Sequence, residues 1–125
     1  MKQVITSNDA PKSVGTYSQE IKSENMVFLS GQVPLDPKTM KLVEGDFAAQ
    51  VRQVFLNLEH VAKVAVGSFT DMVKLTVYLT DLNQGAVVND VMREFFEEPF
   101  PARVMLQVSA LPVGAAVEID GIMVL

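Results

Sequence analysis

The sequence predicts an α+β fold: a mixed β-sheet with two helices packed on one face, in the order β-β-β-α-β-α-β-β. Three observations carry this. Two segments repeat their apolar residues at the ~100° per residue spacing of an amphipathic helix. Six others alternate or run apolar over strand-like lengths. Two helices are also too few to cover both faces of so much sheet, so they belong on one.

Lys2 to Thr6 reads as a short first strand. Ser18 to Lys22 and Met26 to Ser30 follow, with Ser23-Glu24-Asn25 as a hairpin turn. The first helix runs from about Asp46 to Val66. Phe47, Val51, Val54, Phe55, Leu58, Val61, Ala62 and Ala65 form one stripe, Asp46 is the expected N-cap, and Gly67 the expected C′ residue. Asp71 to Thr80 alternates, with Val73, Leu75, Val77 and Leu79 on one face and Lys74, Thr76, Tyr78 and Thr80 on the other. The second helix runs from about Asn83 to Glu97, with Val87, Val88, Val91 and Phe95 inward and Pro99 as its stop. Ala102 to Val108 and Ala116 to Val124 complete the set.

The second sheet face is expected to be covered as well, because Met26-Val27-Phe28-Leu29 is apolar on both sides. Parity groups Arg103, Met105 and Gln107 on one strand and Glu118, Asp120 and Ile122 on another. We assign both groups to the face away from the helices. A mixed apolar and polar face is what a subunit interface or ligand pocket looks like, so an oligomer is expected.

Composition narrows the chemistry. The 125 residues fit one domain, 1–125, with one core. No apolar run approaches the ~20 residues of a membrane span, and no signal-peptide stretch opens the chain; a cytoplasmic protein with no membrane partner is expected. There is no cysteine, which removes disulfides, thiolate nucleophiles and Cys-ligated zinc. The net charge of −5, with scattered basic residues, argues against nucleic acid as a partner.

His60 is the only histidine, and it points away from the apolar stripe of the first helix. It reads as a solvent-exposed residue, which argues against a Ser-His-Asp triad and His-based metal sites. The glycines match no phosphate-cradling motif. No metal or cofactor is expected. The methionines read as core filler.

Arg103 is the residue that asks for an explanation. It lies in Phe100-Pro101-Ala102-Arg103-Val104-Met105-Leu106, an apolar strand, where a permanent charge needs a partner. Glu118, in Ala116-Val117-Glu118-Ile119, is its natural companion. An internal salt bridge and a shared ligand site stand equally on residue types alone. In the second case the guanidinium clamps a substrate carboxylate and the glutamate handles water or a proton. Tyr17 follows a glycine in a loop and reads equally as a pocket wall or a packing residue. Ser30-Gly31-Gln32 ends a strand, where Gly31 permits either an ordinary turn or a close backbone approach to a ligand.

Taken in order, these segments resemble one family. Gly15-Thr16-Tyr17-Ser18-Gln19, Val27-Phe28-Leu29-Ser30-Gly31-Gln32-Val33-Pro34 and Asp71-Met72-Val73-Lys74-Leu75-Thr76-Val77-Tyr78-Leu79 resemble the RidA (YjgF-like) family. Val87-Val88-Asn89, Glu94-Phe95-Phe96, Phe100-Pro101-Ala102-Arg103, Leu111-Pro112 and Val117-Glu118-Ile119 continue the match across the chain. The resemblance implies a chorismate-mutase-like fold and a homotrimer with ligand sites in the clefts between subunits. It implies hydrolysis of reactive enamine and imine acids, such as 2-aminoacrylate, to 2-oxo acids and ammonia. By the same resemblance Arg103 binds the carboxylate and Glu118 handles water. Tyr17, Ser30, Gly31, Asn89 and Met105 fall at pocket positions.

Three departures bear on specificity. Thr16 stands where the family usually has proline, Met105 where many members have cysteine, and the stretch from Phe96 to Phe100 is shorter than usual. The other readings are a 2-oxo acid binding or sensing protein with little turnover, a ribonuclease, and, on fold alone, a chorismate mutase. The acidic charge and the lone histidine weigh against the ribonuclease.

Overall fold

The computed structural model describes residues 1–125. The strands are β1 (Lys2–Ile5), β2 (Glu20–Ser23), β3 (Met26–Gln32), β4 (Met72–Leu79), β5 (Ala102–Gln107) and β6 (Val117–Val124). The helices are α1 (Phe47–Val64) and α2 (Gly85–Phe95). The sheet order is β1-β2-β3-β6-β4-β5. Only β4 and β5 pair in parallel; the other neighbours are antiparallel. The last strand therefore inserts between β3 and β4, and α1 crosses over it. The α+β class, the element order and the placement of both helices against one sheet face agree with the sequence-based expectation.

One core lies between that face and the helices. Val51, Val54, Phe55, Leu58 and Val61 of α1 are fully buried, as are Leu75, Val77 and Leu79 of β4 and Val117 and Ile119 of β6. Each such side chain contributes about 1.5–3 kcal/mol relative to exposure. Phe55 is the aromatic hub, with ring centroids 5.4 Å from Phe95, 5.7 Å from Phe96 and 6.2 Å from Phe69. Phe96 leaves α2 in extended conformation and stacks on Phe69 at 4.5 Å. The helix thus ends at Phe95, before the expected Glu97 and ahead of Pro99.

Several local expectations need correction. Asp46 is the N-cap of α1, its Oδ1 accepting the Ala49 N–H at 2.9 Å. At the other end the C′ residue is Val66, not Gly67. Val66 has φ +63°, and the Val66 and Gly67 N–H groups donate to Lys63 and Ala62. This is a Schellman closure with a β-branched residue at the left-handed position. In β4 a bulge between Met72 and Lys74 sends Met72 into the core and Val73 outward, reversing the expected side of Val73. The β2–β3 turn has two central residues, because Ser23 pairs with Met26. Asn57, absent from the predicted stripe, is buried. Its Nδ2 donates to the carbonyls of Val33 and Leu35 at 3.3 and 3.0 Å, pinning the segment that follows β3. No helix is long and apolar enough to cross a membrane.

The opposite sheet face carries Met26, Phe28, Val104, Leu106 and Val124, all exposed in this chain. Phe28 pairs with Ile122 and Tyr78 with Leu106, so these residues form a continuous surface.

Candidate active site

Strand register decides where the two key side chains stand. Paired residues point to the same face of a sheet. Leu75, deep in the core, pairs with Arg103 on β5, and Val77 and Leu79 pair with Met105 and Gln107. These three β5 residues thus point to the helix side. Tyr78, on the other parity, pairs with Glu118, and Thr76 with Asp120. Glu118 and Asp120 therefore point to the open face. Our assignment of Arg103, Met105 and Gln107 to the uncovered face is wrong. The parallel pairing with β4 aligns them with the core residues.

The premise of a buried arginine also falls. β5 is an edge strand, and Arg103 is exposed. Its NH1 donates to Asn89 Oδ1 at 2.7 Å and lies 3.2 Å from Met92 Sδ. Both partners come from α2 and both are neutral. They orient the guanidinium without cancelling its charge, and no Arg103–Glu118 salt bridge forms. Asn89, Met92, Arg93, Phe100, Pro101 and Arg103 line a cavity of about 410 Å³. Met105 is half-buried and is not among the residues lining that cavity; a Cβ on Gly85 would lie 2.9 Å from its sulfur, so the start of α2 packs directly on Met105.

The other predicted residues gather elsewhere. β3 carries one extra residue between Leu29 and Gln32. The bulge contains Ser30 and Gly31. A Cβ on Gly31 would sit 2.7 Å from Glu118 Oε2, so the glycine makes room for that carboxylate. Gly31 has no positive φ and lies inside β3, which removes the strand-ending-turn reading. Ser30 Oγ donates to the Ser18 carbonyl at 2.6 Å, and its N–H to the Gln19 carbonyl at 3.0 Å. Ser30 thereby fastens the loop carrying Tyr17 to β3. Tyr17 is 51% exposed, and its hydroxyl accepts the Val14 N–H at 3.4 Å.

Electrostatics at Glu118 favour a protonatable group. Burial, and then the nearby Asp120 charge, raise its pKa above the ordinary carboxylate value. Asp120 is held in turn by Tyr78, whose hydroxyl donates to Asp120 Oδ2 at 3.1 Å. Burial and this bond raise the tyrosine's own pKa. The structure thus yields two separate groups: Arg103 and Asn89, with Met105 on the same strand, at the α2–β5 edge, and Glu118 against Gly31 on the open face, with Ser30 next to Gly31 fastening the loop that carries Tyr17. It does not bring them together within one chain.

Four polar groups were not singled out from the sequence. Tyr78 and Asp120 were legible by parity, since both share the Glu118 face. Gln19 is buried and holds the loop before Tyr17, accepting from Ser7 N–H at 2.7 Å and donating to the Ser7 and Pro11 carbonyls. Glu20 is 0% exposed, points into the core beside Leu29, and has no hydrogen-bond partner for either oxygen. Burial alone raises its pKa to about 7. His60 is half-buried rather than exposed, and its Nδ1 lies 2.8 Å from the Asp9 carbonyl.

A small mixed-sheet α+β chain with an arginine held by neutral partners at one edge and a partly buried glutamate on its open face defines a recognisable class. Residues 7–125 match the family model described as Endoribonuclease L-PSP. A RutC family protein of Pyrococcus horikoshii is 47% identical, over 98% of this chain and 97% of its own length. The 2-iminobutanoate/2-iminopropanoate deaminase of Bos taurus is 40% identical, over 99% of this chain and 90% of its own. The crystal structure of RidA from the Antarctic bacterium Psychrobacter sp. PAMC 21119 superimposes with a TM-score of 0.95 at 49% identity, covering 98% of this chain and 99% of that one. The chain belongs to the RidA family.

Proposed function

We propose that this protein hydrolyses 2-imino acids and their enamine tautomers, such as 2-aminoacrylate, to 2-oxo acids and ammonia. The observation that carries the reading is Arg103. Its guanidinium is oriented by Asn89 and Met92 and has no carboxylate partner within the chain. A charged fork so placed suits bidentate binding of a substrate carboxylate. The deaminase name of the Bos taurus relative supports the same chemistry.

In this reading the carboxylate docks on Arg103, and Glu118 holds a water against the imine carbon. The water oxygen bonds to that carbon as the C=N π electrons move to nitrogen. Glu118 carries one of the water's protons to nitrogen, giving a carbinolamine; it then moves the hydroxyl proton to nitrogen as the C=O forms and the C–N bond breaks, releasing ammonia and a 2-oxo acid. An imine carbon is already electrophilic, so orientation and modest proton transfer suffice. A glutamate whose pKa is raised by burial is better suited than an ordinary carboxylate to accept and return a proton.

The two groups on opposite sheet faces favour a site completed between copies. We place Arg103, Asn89 and Met105 of one copy opposite Glu118, Gly31, Ser30 and Tyr17 of the next, in a homotrimer. Exposed Phe28, Val104 and Leu106 on the open face supply apolar surface for such a contact. A ribonuclease reading is weaker: the chain carries net −5, and its lone histidine is engaged with the Asp9 carbonyl.

The test is pyruvate release from 2-aminoacrylate generated in situ by a serine dehydratase. The protein should accelerate it above the spontaneous rate, and Arg103→Ala should not. Equal rates with and without the protein would overturn the reading.

A further inference from the structure

The cavity beside Arg103 has a second cation. Arg93 lines it together with Arg103, and none of the six lining residues is acidic. In a chain of net −5 this is a local reversal of charge. The partners of Arg103 are neutral, as described above, so its charge is unspent. The only partner of Arg93 is Asp90, at 3.0 Å one turn back on α2. The two side chains are 66% and 77% exposed. An exposed helical pair of this kind is weak, because water screens both charges, so a ligand carboxylate exchanges for it at little cost. One carboxylate satisfies Arg103 and leaves Arg93, on the same cavity, held only by that exposed pair with Asp90. Phe100 and Pro101 supply an apolar wall for the carbon chain between two anionic ends.

We propose that Arg93 is a specificity-determining residue, and that the site takes 2-imino and 2-oxo acids bearing a second carboxylate in preference to monocarboxylates. The proposal rests on the reading of Arg103 as the carboxylate-binding residue. The hydrolysis itself is unchanged: water adds to the imine carbon, ammonia leaves, and the second carboxylate takes no part in bond making.

Calorimetric titration of the whole protein with 2-oxoglutarate and 2-oxobutyrate tests it. The expected result is at least tenfold tighter binding of 2-oxoglutarate. Arg93→Met should abolish that preference while leaving 2-oxobutyrate affinity within twofold, and Arg93→Lys should retain part of it. Equal affinities in the wild type, or a preference that survives Arg93→Met, overturns the role of Arg93. If 2-oxobutyrate binding is present and lost in Arg103→Ala, the Arg103 reading stands even when the Arg93 proposal falls. If neither acid binds, both fall. Arg93 is exposed on a helix, and circular dichroism verifies that its variants fold.

Discussion

Arg103 and Glu118 stand on opposite faces of one sheet. β4 lies between their strands, pairing Leu75 with Arg103 and Tyr78 with Glu118, and these β4 residues have opposite parity. No rotamer change within one chain crosses a hydrogen-bonded sheet. If both residues serve one reaction, they do so from different copies.

That geometry makes complementation a decisive measurement. Arg103→Ala and Glu118→Gln are each expected to lower kcat/KM on the order of a hundredfold or more, with Glu118→Gln retaining 2-oxo acid binding. Co-expressed in equal amounts, the two inactive chains should recover about a quarter of wild-type activity, because a head-to-tail ring then forms some intact sites. No recovery in verified mixed oligomers would place the two residues in separate functions.

Gly31 is expected to resist even alanine. The added Cβ would meet Glu118 Oε2 at 2.7 Å, and a flexible carboxylate swings aside more easily than the strand does. Gly31→Ala should therefore fold with an unchanged melting temperature to within a few degrees, yet lose about tenfold or more in kcat. A variant with wild-type kcat would show that the position of Glu118 is immaterial.

Asp120 raises the pKa of Glu118, after the larger effect of burial. Asp120→Asn should move the Glu118 titration to lower pH without bringing it to the ordinary value, since burial remains. Carboxyl carbon NMR of the ligand-free protein reads this directly. The Glu118-dependent limb of the kcat/KM profile should move the same way. An unshifted or upward-shifted titration would contradict the coupling.

Glu20 links stability to pH in an unusual direction. Its folded pKa, about 7, lies above the ordinary value of 4.5. The folded state thus holds the proton more tightly, so this contribution is full below about pH 4.5 and is lost as pH rises through 7. The loss amounts to about 3 kcal/mol by pH 8. Glu20→Gln stays neutral, so the difference in urea stability between the variant and the wild type should grow by that amount from pH 4.5 to 8. A difference independent of pH would mean that the carboxyl finds a partner or water when ionised.

Val66 is a local cost with no visible return. It adopts φ +63° while 90% exposed, so its side chain gains little burial for a left-handed backbone. Val66→Gly is expected to raise unfolding stability by about 1 kcal/mol, the left-handed penalty for a residue with a Cβ. A lowered melting temperature would show that the side chain contributes more than its exposure suggests.

The element order, the faces of both helices in outline, the N-cap at Asp46, and the identities of Arg103 and Glu118 as the residues to explain were all legible in the chain. These follow from local rules: periodicity, capping chemistry and the presence of a charged residue in an otherwise apolar strand. The family resemblance, carried by ordered short motifs, was legible for the same reason. What sequence could not decide was which strand lies beside which. Parity groups Arg103 with Met105 and Gln107, but only the parallel pairing to β4 puts that group on the helix side. Two bulges, at Val73 and at Ser30–Gly31, shift register by one residue, which inverts side-chain faces downstream. The burial of Glu20 likewise depends on non-local pairing, with Ile5 and Leu29 as its neighbours across the strands. Periodicity records which residues share a face; only the packed sheet decides what that face meets.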